Sequence, residues 1–271
     1  MSTLEEVLRR QRSQSILQAP TEKARAAADS TTSSTNPTLQ ISLQNNTNSL
    51  NVWAYITGLD INRDNAVFLL RSDGVTPYYP VSPPETLSPL TQDCHIQLGP
   101  PGTTRAVTIP QLAGGRIWFC VNDQLTFMVN PGPALVEPSV MNPTDANYAK
   151  LWSFVEFTFN KIQLFANVTY VDFVAFPISL ALSSNSNPGG PAQRVPGIPA
   201  WGMDRVASEM VAQHNRDGAD WDKLVIRDPA SGNRMLRVLS PNSGIKLHQD
   251  LPMFRDYYQP YVDAVVSRNS A

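Results

Sequence analysis

The chain has 271 residues, 21 basic and 23 acidic side chains for a formal net charge of −2, and only 16% charged residues, against roughly 25% in an average soluble domain. That length buries a sizeable core in one or two domains, and the near-balanced charge provides no basic field for a polyanion, so nucleic acid is not an expected partner. The 2 cysteines, Cys94 and Cys120, permit one bridge at most and sit in no zinc spacing, and the 3 histidines are scattered, so neither metal nor cofactor is expected.

The opening stretch MSTLEEVLRRQRSQS puts Glu5, Glu6, Arg9, Arg10 and Arg12 where a secretory leader needs an unbroken apolar run, so no signal peptide is read. Residues 1–36, ending in DSTTSSTNP, lack the apolar surface to fold alone and are expected to form a flexible N-terminal arm. No later apolar run approaches the roughly 18 residues that span a bilayer, so no membrane partner is expected.

From residue 37 the pattern turns to short runs rich in Ile, Val, Thr and aromatics, punctuated by Asn, Asp, Gly and Pro, which predicts a mainly β fold. Strands are expected at 39–45, 51–59, 66–71, 94–99, 105–110, 116–121 and 125–130. Gly114-Gly115 is read as launching the run at 116, and Asn122-Asp123 as a hairpin turn between the last two runs. A proline-bearing stretch, 131–150, leads to two further β-runs within 151–182 that meet near Asn160 and Lys161. The Ser, Asn, Pro and Gly stretch at 183–197 marks a boundary between a β domain, 37–184, and a smaller mixed α/β domain, 185–271. In the latter, Met203, Val206, Ala207, Met210 and Val211 repeat at helical spacing up to Gly218. A hairpin follows over 223–228 and 234–240, and a last helix is expected from Met253 to Arg268. No strand follows it, so the second domain is expected to be incomplete.

Chemistry concentrates in 151–182. In WSFVEFTFN the strand alternation puts Phe154, Glu156, Thr158 and Asn160 on one face and Val155, Phe157 and Phe159 on the other. Sixteen positions on, Asp172 stands in the apolar run FANVTYVDFVAF, read as the neighbouring strand. Each acid interrupts the most apolar stretch of the chain, where a carboxylate is costly unless it is paired, hydrated or used. Two carboxyl groups facing one groove are what glycoside hydrolysis needs, although an acid on the solvent face of a strand needs no function at all.

EFTFN (156–160) followed by NVTYVDFVAFPISL (167–180) resembles the strand pair lining the acidic cleft of thaumatin-like proteins. With only 2 cysteines the chain lacks the disulfide framework usual in the plant branch, and over roughly 38–265 it is more similar to glycoside hydrolase family 64. The resemblance implies a thaumatin-like β-barrel or sandwich followed by a mixed α/β domain, and metal-free, inverting hydrolysis of β-1,3-glucan to laminari-oligosaccharides, typically the pentaose. It implies Glu156 as general acid, its proton favoured by apolar surroundings, and Asp172 as general base. It places Thr158, Asn160, Phe165, Asn167 and Thr169 against the glucan, Phe165 as a platform for a sugar ring. A monomer is expected. The family is secreted, which conflicts with the missing leader; an authentic N-terminus would imply the cytoplasm. An incomplete second domain would leave the groove short of one wall. A non-catalytic glucan-binding protein and an interaction module with an ordinary polar strand face are the alternatives.

Overall fold

The computed structural model describes residues 37–183 and 191–269; the expected N-terminal arm and residues 184–190 of the Ser/Asn/Pro/Gly stretch lie outside them. The first half forms strands β1 (Leu39–Gln44), β2 (Val52–Asp60), β3 (Ala66–Leu70), β4 (Pro77–Tyr78), β5 (Ser88–Pro89), β6 (Ile96–Gln97), β7 (Thr104–Ile109), β8 (Leu112–Val121), β9 (Met128–Asn130) and β10 (Ala134–Val136). Then come β11 (Leu151–Phe159), β12 (Leu164–Asn167), β13 (Phe173–Val174), β14 (Leu180–Leu182) and β15 (Gln193–Val195). Helix α1 (Gly202–Asp217), strands β16 (Val225–Asp228) and β17 (Arg234–Leu239), helix α2 (Pro241–Leu247) and helix α3 (Gln259–Asn269) complete the described chain.

A seven-stranded sheet in the order β12-β11-β8-β2-β3-β4, with β6 added to the edge of β2, is the middle layer. Every strand pairing in the described residues is antiparallel. Its two faces bury different partners. Ile56, Ile117, Val155 and Phe157 pack with Leu43 of β1 and Val107 and Ile109 of β7. Tyr55, Trp118, Trp152 and Phe154 pack with Phe173 of β13 and with Ala207, Leu224, Leu236 and Val238, which come from the helix and hairpin region. Burial on both faces explains why these strands read as nearly continuous apolar runs. Each fully buried side chain of this kind contributes about 1.5–3 kcal/mol, against about 0–1 for an exposed ion pair, so the apolar contacts set the strand register.

Several expectations need correcting. Asn122-Asp123 does not close a hairpin: β8 pairs with β2 and β11, whereas β9 joins β5 and β10 in a separate three-stranded sheet. Leu125 and Phe127, expected in that strand, are buried without belonging to a ladder. Gly114 and Gly115 do not precede a strand but lie inside β8, which starts at Leu112. There the ladders to β2 and β11 both skip a residue and Gly114 takes a left-handed φ of 54°, a bulge in β8.

The helix at 202–217 forms as its spacing predicts, with Gly218 at φ 71° donating its N–H to the carbonyl of His214, 2.8 Å away. The last helix starts six residues later than expected, at Gln259. Phe254 and Asp256 have positive φ, which breaks the helical path, and the rings of Phe254 and Tyr257 instead pack around Trp221. Cys94 and Cys120 are buried free thiols.

Candidate active site

Strand β11 carries Glu156 at the end of its aromatic face, one step beyond Phe154. Its cross-strand neighbours are Arg116 on β8 and Asn167 on β12. The β11–β12 hairpin meets near Asn160 as expected, because Asn160 Oδ1 accepts from the backbone N–H of Ile162 (2.8 Å) and Gln163 (3.0 Å). The register that follows sets Thr158 opposite Phe165 and Glu156 opposite Asn167.

These residues surround an open groove of about 300 Å³ lined by Gly114, Gly115, Arg116, Glu156, Phe157, Thr158, Phe165 and Asn167. Two features of the sequence make room for it. The β8 bulge carries no side chain at Gly114 or Gly115, and Phe165 is turned outward, 58% exposed, leaving an aromatic face free at the rim. Among the expected site residues, Glu156, Thr158, Phe165 and Asn167 come together here, whereas Asn160, Thr169 and Asp172 do not line this groove. Asn160 closes the hairpin, and Thr169 Oγ1 accepts from the N–H of Val171 at 3.3 Å.

Asp172 departs from the strand expected for it. It lies in a bend between β12 and the two-residue β13, and β13 pairs with β17 rather than with β11, so the two acids do not sit on adjoining strands. Its carbonyl accepts from Ser240 N at 2.8 Å. Its carboxylate has no side-chain hydrogen bond or ion pair among the described residues and is half-buried.

The surroundings of Glu156 also differ from the apolar ones expected. Arg116 Nη2 and Nε stand 3.3 Å and 3.4 Å from Glu156 Oε1, long contacts for a charge-assisted pair. On its other side the guanidinium donates through Nη1 to Glu137 Oε2, and it lies 5.0 Å from the ring centroid of Phe154 and 5.4 Å from that of Trp118. Thr57 Oγ1, which accepts from Trp118 Nε1 at 3.0 Å, is 3.5 Å from Glu137 Oε1. Burial pushes the Glu137 carboxyl above its ordinary value, while Arg116 and the Thr57 hydroxyl act to lower it.

Arg116 and Glu137 are additions that the sequence reading missed, although the criterion that found Glu156 applies to both. Arg116 is a charge at the head of the apolar run IWFCV, and Glu137 is the sole acid in PGPALVEPSV. Their meeting depends on strand pairing between distant segments. Among the described residues no group of three or more His, Cys, Asp and Glu is placed to hold a metal ion.

A model of the family described as β-1,3-glucanase matches residues 37–270. The chain is 31% identical over 140 residues to a glucan endo-1,3-β-glucosidase of Cellulosimicrobium cellulans, a stretch covering 51% of this chain and 23% of that protein. It is 30% identical over 140 residues, with the same coverage of 51% and 23%, to a glucan endo-1,3-β-glucosidase of Arthrobacter sp. strain YCWD3. In fold it is similar to a laminaripentaose-producing β-1,3-glucanase in complex with laminaritetraose, with a TM-score of 0.65 and 24% identity, covering 78% of this chain and 54% of the other. A second neighbour is the family 64 laminaripentaose-producing β-1,3-glucanase of Paenibacillus barengoltzii complexed with laminarihexaose, with a TM-score of 0.57 and 21% identity, covering 82% and 53%. The chain therefore spans about half the length of these solved structures and 23% of the curated relatives.

Proposed function

As the chain belongs to the β-1,3-glucanase family, glycoside hydrolase family 64, we propose that it hydrolyses β-1,3-glucan with inversion and releases laminari-oligosaccharides, typically the pentaose. The observation that carries this reading is Glu156 on the wall of an open groove, with Thr158 and Asn167 beside it and the exposed ring of Phe165 at the rim. A sugar ring has apolar C–H faces and an equatorial belt of hydroxyls, so an aromatic plane next to neutral hydrogen-bonding side chains suits it.

In this reading Glu156 donates a proton to the glycosidic oxygen as the bond to the anomeric carbon breaks. Asp172 takes a proton from water, whose oxygen attacks that carbon from the opposite side, and the configuration inverts. Such a mechanism needs the carboxyl groups roughly 6.5–9.5 Å apart, to admit the water. Among the described residues no side chain pairs with the Asp172 carboxylate, which has lone pairs to spare for it. The β region, 37–184, and the mixed region, 185–271, would form the two sides of a groove for helical glucan, with Asn160 and Thr169 touching the polymer further along. The chain acts as a monomer, without metal or cofactor.

The Arg116 pair favours one rival, a glucan-binding protein without turnover, since a carboxylate held by a guanidinium readily accepts hydrogen bonds from sugar hydroxyls. Reducing-sugar release from laminarin, together with co-sedimentation on insoluble β-1,3-glucan, separates the two. Hydrolysis by the wild type that falls about 10²–10⁴-fold in Glu156→Gln and in Asp172→Asn, with sedimentation retained, supports the hydrolase. Sedimentation without hydrolysis supports the binder, and neither activity ends both readings. Proton NMR of the fresh product reports its anomer, and retention of configuration would exclude the inverting mechanism.

A further inference from the structure

Arg116 stands between two carboxylates, and one guanidinium charge can neutralise only one of them. The partition is uneven. Glu137 takes the Nη1 hydrogen bond and has Thr57 Oγ1 on its second oxygen, whereas Glu156 receives only long contacts of 3.3 Å and 3.4 Å on one oxygen. Among the described residues, the charged groups against Glu156 are Arg116 from β8 and, through it, Glu137 from the segment after β10; β12 presents the neutral Asn167.

A proton donor beside an uncompensated arginine would be held ionised and would have nothing to donate. We propose that Glu137 is a positioning residue, which draws the Arg116 guanidinium to itself and thereby leaves Glu156 able to hold the proton it delivers. Several features of the chain fit that task. Pro138 restricts Glu137 to an extended backbone. The rings of Trp118 and Phe154 fix the guanidinium from one side, and Thr57, anchored by the indole of Trp118, meets the carboxylate from the other. This inference rests on the reading of Glu156 as the acid, but its test does not depend on turnover.

The experiment follows the side-chain carboxyl carbon of Glu156 by ¹³C NMR as a function of pH in the full chain, assigned through Glu156→Gln. In Glu137→Gln the amide keeps the shape and loses the charge, Arg116 turns to Glu156 alone, and the observed midpoint of the Glu156 signal should move to lower pH. Glu137→Asp should recover much of the difference. With laminarin as substrate the alkaline limb of the kcat/KM profile should move down by the same amount, because a general acid must be protonated to act. KM should change little. If Glu137→Gln does not fold, Arg116→Gln replaces it, and Glu156, now facing Glu137 without a counter-ion, should titrate higher. An unchanged Glu156 midpoint in the variant used overturns the proposal. If the wild type does not cleave laminarin, the hydrolase reading fails, and the NMR midpoints still decide what Glu137 does to Glu156.

Discussion

The ring of Phe157 lies against the α-carbon of its strand partner Gly115: a β-carbon at residue 115 would stand 2.4 Å from Phe157 Cζ and 2.7 Å from both Cε atoms. Carbon atoms do not approach so closely, so Gly115→Ala must push the ring out of its cluster or open the β8–β11 ladder. The expected cost is about 1–3 kcal/mol, the usual price of overpacking. Urea unfolding of the variant checks it, and an unchanged midpoint would show that the ring moves freely.

Arg237 is fully buried and donates to the carbonyls of Tyr148 (2.9 Å) and Lys150 (2.6 Å), tying β17 to the segment before β11. Its guanidinium carbon is 5.3 Å from the centroid of Trp152. Arg237→Met keeps most of the volume but removes both donors, and each carbonyl left without a partner costs about 1–3 kcal/mol. A fall of that size in unfolding free energy is expected, together with a loosening of the helix and hairpin region visible as faster amide exchange in β17. Wild-type stability in the variant would mean that water replaces the guanidinium.

Phe165 is 58% exposed, so Phe165→Ala removes little buried surface and should leave stability within about 0.5 kcal/mol of the wild type. If its ring supports a sugar, KM for laminarin should rise about tenfold, equal to ~1.4 kcal/mol, with a smaller change in kcat. Steady-state kinetics beside a thermal melt separates the two effects. A fall in kcat alone would count against the platform role.

Burial pushes the thiols of Cys94 and Cys120 up to about 12, from 9.0. The folded protein keeps two protons that the unfolded chain releases between those values, so stability is whole below about pH 9 and falls as pH rises through that window. At pH 8 both thiols should resist 5,5′-dithiobis(2-nitrobenzoate) and react promptly once urea is added. Prompt reaction of the native protein would show that the sheet opens locally around them.

Much of this site was legible in one dimension. EFTFN alternates as a strand must, so the face shared by Phe154, Glu156 and Thr158 follows from the period of two, and Asn160 announced the turn that brings Phe165 and Asn167 back alongside. The run around Asp172 misled for a local reason: the apolar residues there serve the aromatic cluster through Phe173 without forming a long strand, and burial in a core does not require a ladder.

By itself the sequence determined the β character of 37–182, the amphipathic helix ended by Gly218, and the place of the two acids within its most apolar run of residues. Only the tertiary structure decided that Arg116 faces Glu156, that Glu137 reaches the same guanidinium, and that Asp172 lies in a bend leading into a strand of a different sheet. Alternation says which way a side chain turns, but not which strand lies next to it. That choice is made by apolar contacts on both faces of the middle sheet, between residues far apart in the chain, and a single β8 bulge is enough to shift what meets what.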